Sequence, residues 1–247
     1  MKTKGVLYLI PSTLGHEANI KTIPVQIADI INSVDIILAE KPKKTRAFIK
    51  RLKPNRPIQK YNIQKLNVHT NKQTVNEYLD ILLKGKSIGV IPDAGCPAVA
   101  DPGSDLALLA HQNNISVIPL TGPSSILLAL MASGLNGQNF AFIGYLPRKS
   151  EERKKKIISL SSTVCHTGQT QIMIETPYRN QHVLTSLINN LNQQIHLCIA
   201  VDLTTPTENI KTMQVSAWRK VKTLPNIKGK QSVFVIGLGI THSYNLL

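Results

Sequence analysis

Short apolar runs that alternate with helical segments constrain this chain more than any other feature of its sequence. Four runs in the first half are apolar at successive positions; they are residues 6–10, 36–39, 87–91 and 116–120. Strands of this kind are buried on both faces, which is typical of a parallel sheet. Segments with apolar residues three and four positions apart lie between them, at 20–34, 44–53, 75–83 and 104–112. The pattern predicts an α/β fold whose N-terminal, mainly parallel sheet carries helices on both faces.

The second half is richer in strands and predicts a second α/β domain with a mixed sheet. Strands are expected at 140–143, 171–175, 195–201, 212–215 and 232–237, with helices near 150–160 and 177–191. A helix over 123–133 is apolar nearly all round, so we expect other parts of the protein to enclose it. The boundary falls within residues 119–124, which predicts domains of residues 1–120 and 121–247.

Composition excludes several classes of protein. Hydrophobic residues make up 42% of the 247 residues, enough for a sizeable core, whereas the 4% of aromatic residues argues against a base-stacking module. The three cysteines form no C-x-x-C pair, which argues against a disulfide framework or clustered zinc site and favours a reducing, cytoplasmic compartment. No apolar run reaches membrane-spanning length, and the short apolar start is interpreted as a strand, not as a signal peptide.

Charge is the strongest indication of a partner. Lys and Arg number 29 against 14 Asp and Glu, a formal charge of +15, which favours a polyanion such as nucleic acid. Residues 41–60 contain nine basic residues and no acidic one. On a helix, Lys43, Arg46 and Lys50 share one face, where an anion would relieve their mutual repulsion. The alternative is an ordinary solvated helix face in a generally basic protein.

Four predicted strand exits carry unusual loops, and ligands of parallel sheets bind beyond the carboxyl ends of strands. These loops are residues 11–15, 93–103, 121–125 and 175–179. In the second, Asp93 is a candidate acceptor for a ligand ribose or ammonium, whereas Asp101, before a Pro-Gly turn, is expected to bond backbone N–H groups. Ser124 and Ser125 open the apolar helix; one should cap it and leave the other for a polar ligand. P-loop, G-x-G-x-x-G, G-x-S-x-G and histidine metal motifs are absent.

These loops, in this order, resemble the tetrapyrrole methylase superfamily of S-adenosylmethionine-dependent methyltransferases. Within it the chain is most similar to the branch that methylates the cytidine 2′-oxygen of small-subunit ribosomal RNA, and to a short subgroup there. The stretches that carry the resemblance are LYLIPSTLG (7–15), DAGCPAVADPG (93–103), LTGPSSILLALMASGLNG (120–137), FAFIGYLP (140–147) and IETPYR (174–179). They extend over much of the chain, including the predicted domain boundary.

The resemblance implies two α/β domains with the methyl donor in the cleft between them, no metal, and commonly a homodimer. Carried over by position, the residues that bind the donor are Pro11, Asp93, Cys96, Ser124, Ser125, Ile174 and Ala200. The sequence departs from the branch where an acidic residue after the second strand is replaced by Lys41. The partner implied is ribosomal RNA or the small ribosomal subunit, with Lys43, Arg46 and Lys50 on its phosphates.

Methyl transfer from a sulfonium needs mainly alignment and exclusion of water, although a base helps a weakly nucleophilic ribose hydroxyl. Glu40 is the first candidate for this base and Glu175 the second, unless Glu175 pairs with Arg179 four residues later. Two other functions stay open. The chain could be a small-molecule methylase acting on a tetrapyrrole-like anion, or an inactive module that binds donor or RNA, for which Lys41 is the main support.

Overall fold

The computed structural model describes residues 3–15 and 17–239. The chain divides into two compact units, Met1–Ser124 and Ser125–Leu247. In the first unit, five strands form one parallel sheet in the order β3-β2-β4-β1-β5. They are β1 (Val6–Leu9), β2 (Ile36–Ala39), β3 (Ile63–Lys65), β4 (Ile88–Ile91) and β5 (Ser116–Pro119). Because all five run in one direction, their carboxyl ends meet at a single edge of the sheet.

Helices cover both faces of this sheet, which confirms the predicted α/β fold class. They are α1 (Gln26–Ser33), α2 (Pro42–Arg51), α3 (Lys72–Leu83) and α4 (Ser104–Gln112). One core joins the sheet to α3 and α4 through side chains such as Leu82 and Leu106. The other joins it to α1 and α2 through Ile27 and Ile49. Continuously apolar strands such as β2, buried at all four positions, supply both cores.

Two elements of the first unit differ from the prediction, each for a local reason. The helix expected over 20–34 begins only at Gln26, because the residue before a proline avoids helical geometry and Ile23 is extended (φ −95°, ψ 124°). A short 3₁₀ turn, Ile20–Thr22, precedes it. Strand β3 was missed because its sequence, Ile-Gln-Lys, has only one apolar residue, as an edge strand allows.

The second unit has a mixed sheet in the order β6-β7-β10-β8-β9, as predicted. Its strands are β6 (Phe140–Tyr145), β7 (Thr170–Glu175), β8 (His196–Val201), β9 (Asn209–Gln214) and β10 (Ser232–Gly237). Only β6 and β7 pair in parallel; the other neighbours are antiparallel. The helices are α5 (Ser125–Ser133), α6 (Ser150–Thr167), α7 (Asn180–Asn190) and α8 (Val215–Trp218). One large core packs α6 and α7 on this sheet.

Helix α5 is less enclosed than its all-round apolar sequence predicts. One side packs on β8, β9 and β10 and buries Ala129 and Leu130. The opposite side leaves Leu127 50% and Met131 77% exposed. The prediction was wrong because the apolar composition exceeds what one sheet face can cover.

Candidate functional site

Three of the four predicted ligand loops come together at the carboxyl edge of the first sheet. The loop after β1 touches the loop after β4, because the Ser12 N–H donates to the Gly95 carbonyl at 2.9 Å. The buried Ser12 hydroxyl donates to the Pro92 carbonyl at 3.1 Å. The loop after β5 joins them, since the Cys96 thiol lies 3.6 Å from the Pro123 carbonyl. The three loops therefore form one connected surface.

A glycine permits the close approach of the loops after β1 and β5. A Cβ atom added to Gly122 would stand 2.2 Å from Cγ of Pro11, far inside any real contact. Pro11 itself is buried. The two loops can therefore pack only while position 122 has no side chain.

The loop between β4 and α4 has an unusual backbone. Four of its residues have positive φ: Gly95 (73°), Ala98 (62°), Ala100 (57°) and Gly103 (126°). For the two alanines this left-handed geometry costs about 1–2 kcal/mol each relative to the right-handed region. Conformations of this kind persist where the surroundings enforce them, and they concentrate at ligand sites.

Asp93 lies at the start of that loop and is held by two lysines from the N-terminus of α2. Its Oδ2 accepts from the Lys41 ammonium at 2.8 Å and from the Lys44 ammonium at 2.9 Å. Only 13% of the Asp93 side chain is exposed. Lys41, at the position where the sequence departs from the resembling branch, is thus a partner of a predicted donor-binding residue. Sequence reasoning missed both contacts, although the substitution of an acidic residue by Lys41 was visible.

These contacts determine the charge state of the pair. Burial is the largest influence on Asp93 and raises its pKa, but the hydrogen bonds from Lys41 and Lys44 outweigh it and bring the pKa below its ordinary value. The bond to Asp93 raises the pKa of Lys41, although burial opposes it. Asp93 is therefore an anion and Lys41 a cation at neutral pH.

Two buried polar atoms at this edge have no hydrogen-bond partner among the described residues: Oδ1 of Asp93 and Oγ1 of Thr45. Thr45 lies on α2 and is only 2% exposed. Buried polar atoms are almost always hydrogen-bonded to protein, water or a ligand. The free carboxylate oxygen can accept a bond from a hydroxyl or ammonium group, and the threonine hydroxyl can donate or accept one. The edge is therefore suited to a polar ligand.

Two more carboxylates belong to the same edge. Glu40 directly follows β2, and its side chain is 27% exposed. The Lys41 ammonium lies 3.9 Å from its carboxylate. Asp101 lies near the end of the β4–α4 loop. Burial, together with the charges of Glu40 and Asp93, raises the pKa of Asp101 to about 6, against an opposing effect of Lys41. Among the described residues no backbone N–H donates to Asp101, so the expected backbone bonds are not formed.

The exposed face of α2 carries the three residues that the sequence predicts to contact phosphates. The helix begins at Pro42, a favoured first helical residue, and ends at Arg51, shortly before Lys53, which has positive φ (53°), and Pro54. Lys43, Arg46 and Lys50 are all exposed. Within the described part of the chain, none of the three forms an ion pair, so this α2 cationic face is available to anions.

Cys96 and Ser124 lie in the first unit and are hydrogen-bonded to each other. Burial raises the pKa of the Cys96 thiol, a shift that the bond to Ser124 opposes. The thiol is therefore protonated at neutral pH and contributes to packing and weak hydrogen bonding. Ser125 begins α5 and is partly exposed.

The fourth predicted loop belongs to the second unit, where Ile174 and Ala200 lie in one row of the sheet. Both pair with Val233 of β10, from opposite sides. Glu175, the last residue of β7, is buried and forms an ion pair with Arg179 at 3.2 Å. Its Oε1 also accepts from the Thr176 N–H at 2.7 Å. The Glu175 carboxylate is thus occupied by its own strand exit and the start of α7.

Among residues 3–15 and 17–239 there is no group of three or more His, Cys, Asp or Glu side chains placed to hold a metal ion. In the same range, no helix combines the length and the apolar character that crossing a membrane requires.

Residues 7–217 match the family described as Tetrapyrrole (Corrin/Porphyrin) Methylases. The ribosomal RNA small subunit methyltransferase I of Vibrio cholerae is 31% identical over 215 residues, which are 85% of this chain and 69% of that protein. The protein of the same name from Streptococcus pyogenes serotype M6 is 33% identical over 187 residues. That match covers 76% of this chain but 61% of the relative, so the chain spans less than two thirds of the streptococcal protein.

Solved structures share the fold at low sequence identity. The methyltransferase CobJ superimposes with a TM-score of 0.64 at 16% identity and covers 98% of this chain and 97% of its own. A uroporphyrin-III C-methyltransferase from Thermus thermophilus, solved with S-adenosyl homocysteine, gives a TM-score of 0.51 at 16% identity. It covers 94% of this chain and 97% of its own.

Proposed function

The chain belongs to the tetrapyrrole methylase family and is a methyltransferase, and we propose that it methylates a ribose 2′-hydroxyl of small-subunit ribosomal RNA with S-adenosylmethionine as donor. The relatives at about 30% identity carry the name of ribosomal RNA methyltransferases. The observation in the molecule that carries the choice of substrate is the exposed α2 cationic face, in a segment without acidic residues.

The residues present at the sheet edge fit the donor. The ribose hydroxyls and the ammonium group of S-adenosylmethionine can donate hydrogen bonds to Oδ1 of Asp93, which is buried and has no partner among the described residues. Pro11, Cys96 and Ser124 belong to the loops that meet at this edge, and they can contact S-adenosylmethionine through backbone groups and the Ser124 hydroxyl. When bound, S-adenosylmethionine supplies an electrophilic methyl carbon, so the protein has no need of a strong side-chain nucleophile.

We propose that residues of the second unit complete the donor site. Ser125 at the start of α5 and the sheet row of Ile174 and Ala200 are the residues proposed to line it. Ser125 and Ile174 lie within the stretches that match the family pattern, whereas Ala200 is proposed from its position alone. The protein then binds donor and acceptor in line and keeps water out, which supplies most of the rate enhancement of such a reaction.

A carboxylate at the edge assists by accepting the hydroxyl proton. Of the two candidates from the sequence, Glu40 is partly exposed and has the Lys41 ammonium 3.9 Å away. Glu175 is committed to Arg179 and Thr176. Glu40 is therefore better placed to meet an acceptor, and Glu175 better suited to hold the start of α7.

RNA binds through its phosphates to the α2 cationic face. Lys43, Arg46 and Lys50 contribute charge and register, because phosphate contacts position a nucleic acid without reading its sequence. A tetrapyrrole-like substrate, the main alternative, carries only a few carboxylates and gives no reason for so long a basic segment. The other alternative is an inactive binding module, which a measurement of methyl-transfer turnover by the purified protein would exclude.

We further propose a homodimer in the cytoplasm. The exposed apolar side of α5, with Leu127 and Met131, is typical of a surface that a partner covers. All three cysteines are free thiols, as a reducing compartment requires. Light scattering tests the assembly: a dimer of the 27.2 kDa chain doubles the mass measured for a monomer.

Mass spectrometry of ribosomal RNA nucleosides tests the proposed function. RNA from cells that lack this protein should miss one ribose methylation, and the purified protein with S-adenosylmethionine should restore it on small subunits from those cells. The control is the same assay with S-adenosylhomocysteine in place of the donor. An unchanged nucleoside profile, or methylation of a porphyrinoid only, would contradict the proposal.

A further inference from the structure

A cleft of about 480 Å³ in the first unit lies beside the loops assigned to the donor. One wall is the segment that follows β3, with Asn67, Val68 and Thr70. The other is the end of the β4–α4 loop, with Ala100 and Asp101. The cleft is therefore at the carboxyl edge of the sheet, and its volume is within the range of small-ligand sites.

Within this cleft, Asp101 has a partly buried carboxylate for which the fold supplies no hydrogen-bond donor among the described residues. A charge in that position is unfavourable unless a partner satisfies it. Ala100, next to it, is held at positive φ (57°), so the loop keeps an unfavourable backbone where it carries this carboxylate. Neither feature helps folding, and both are typical of a functional site.

The charged groups around Asp101 come from several elements. Glu40 follows β2 and Asp93 follows β4, and both repel a negative charge at Asp101. Lys41 attracts it, but Lys41 is engaged by Asp93 at 2.8 Å, as is Lys44 at 2.9 Å. Asp105, on α4, also lines the cleft. Burial and the two carboxylates bring the pKa of Asp101 to about 6, so it is mostly ionised at neutral pH yet a better proton acceptor than an ordinary carboxylate.

We propose that this cleft receives the acceptor nucleotide and that the Asp101 carboxylate takes the proton of its ribose 2′-hydroxyl during methyl transfer. The inference rests on the proposed function and adds to it the acceptor site and the base. The O–H bond breaks and its proton moves to a carboxylate oxygen of Asp101. The ribose oxygen bonds to the methyl carbon, and the carbon–sulfur bond breaks with its electron pair on sulfur, which becomes a neutral thioether. Glu40 then acts through its charge on Asp101 and is a positioning residue.

The test measures single-turnover methylation of small ribosomal subunits from cells that lack this protein. Asp101→Asn should lower the rate at least 100-fold, since a general base contributes that much or more, with donor affinity within twofold of the parent. Asp101→Glu should recover part of the rate. The matched control is Asp80→Asn, which neutralises an exposed carboxylate on α3 and should leave the rate unchanged.

The pH profile separates Asp101 from Glu40. With Asp101 as base, the parent rate rises with pH, reaches half its plateau near pH 6, and Glu40→Gln moves that midpoint to lower pH by removing a repelling charge. If Glu40→Gln instead abolishes turnover while Asp101→Asn stays within threefold of the parent, Asp101 is not the base. Should Asp101→Asn fail to fold, a flat parent profile from pH 5 to 8 would overturn the inference.

Failure of this inference and failure of the proposed function are distinguishable. If the parent methylates the subunits and Asp101→Asn does so equally well, only the role of Asp101 is lost. If the parent transfers no methyl group to the subunits under any of these conditions, both the function and the acceptor site are wrong.

Discussion

At the scale of single residues, Asp93 is the position where the packing of the first unit meets the proposed donor site. One carboxylate oxygen holds two lysines and the other is buried without a partner. Asp93→Asn replaces the anion by a neutral amide of similar size. A hydrogen bond to a charged group contributes about 1.5–3 kcal/mol, so the affinity for S-adenosylhomocysteine should fall roughly 10- to 100-fold by calorimetry. Asp29→Asn, an exposed carboxylate on α1, is the control, and equal losses in both variants would contradict this role.

Asp101 should make the protein less stable as the pH rises. Its pKa is raised from 3.8 to about 6, so between these values the folded state holds a proton that the unfolded state has released. The contribution of Asp101 to the free energy of unfolding therefore falls from about pH 4 to about pH 6 and is constant above that. After a discount for solvent screening the loss is about 1 kcal/mol.

Asp101→Asn removes this loss. The variant should match the parent at pH 4 and melt about 2–4 °C higher at pH 8, where its catalysis is expected to fail. Thermal unfolding at the two pH values measures the difference. A variant that melts below the parent at pH 8 would mean that the carboxylate stabilises the loop.

The sequence singled out the loops at the strand exits and Asp93, but it gave no sign of the raised pKa of Asp101. Proline, glycine and the strand exits are local signals, and three of the four loops that they mark meet at the carboxyl edge of the first sheet. The pKa of Asp101 depends on Glu40 and Asp93, which reach it from two other strand exits. Nothing in the Asp-Pro-Gly stretch reveals such neighbours, so the expected backbone bonds were a reasonable but wrong interpretation.

At the scale of elements, the contact between the loops after β1 and β5 depends on the missing side chain of Gly122. Gly122→Ala would place a methyl group 2.2 Å from Pro11 Cγ, and one loop must move. Overpacking of this kind costs about 1–3 kcal/mol. We expect a melting temperature lower by about 2–12 °C and weaker donor binding.

Gly137→Ala is the matched control, because a Cβ at position 137 meets nothing within 4 Å. This variant should leave both the melting temperature and donor affinity near those of the parent. If Gly122→Ala melts like Gly137→Ala, the loops are freer than their packing indicates, and the donor site cannot depend on their contact.

Helix α2 carries two groups of basic residues with different surroundings. Lys41 and Lys44, at its N-terminus, pair with Asp93, whereas Lys43, Arg46 and Lys50 form no ion pair among the described residues. Replacing these last three by alanine removes three cations and leaves the Asp93 contacts intact. The slope of log affinity for single-stranded RNA against log salt should become shallower by about 2, that is 0.7 for each lost phosphate contact.

The control for this variant removes the same charge elsewhere. Lys220, Lys222 and Lys228 are exposed residues of the second unit, and their triple alanine variant has an equal net charge. Its salt slope should stay close to that of the parent. Equal changes in the two triple variants, measured by fluorescence anisotropy, would mean that overall charge and not the α2 cationic face binds RNA.

At the scale of the whole molecule, the alternation of strands and helices was enough to predict the two sheets and the class of fold. The departures arose where packing or local backbone rules outweigh periodicity. Helix α1 starts late because of Pro24, β3 is a polar edge strand, and α5 packs on one side only. Pairing between strands, such as that of Ile174 and Ala200 with Val233 between them, follows from topology and has no local signal.

The net charge of +15 and the low exposure of the Asp93 carboxylate together predict that salt separates the two binding steps. RNA affinity rests on several phosphate contacts, and with three of them a fourfold rise in salt lowers it roughly 20-fold. The Asp93 side chain is only 13% exposed, and a partly buried charge is screened less than an exposed one, so donor affinity should change less than twofold over the same range. Calorimetry with S-adenosylhomocysteine and anisotropy with RNA, at 50 and 200 mM salt, measure the two. If RNA affinity is as indifferent to salt as donor affinity, phosphate binding by the basic segment fails as the basis of substrate choice.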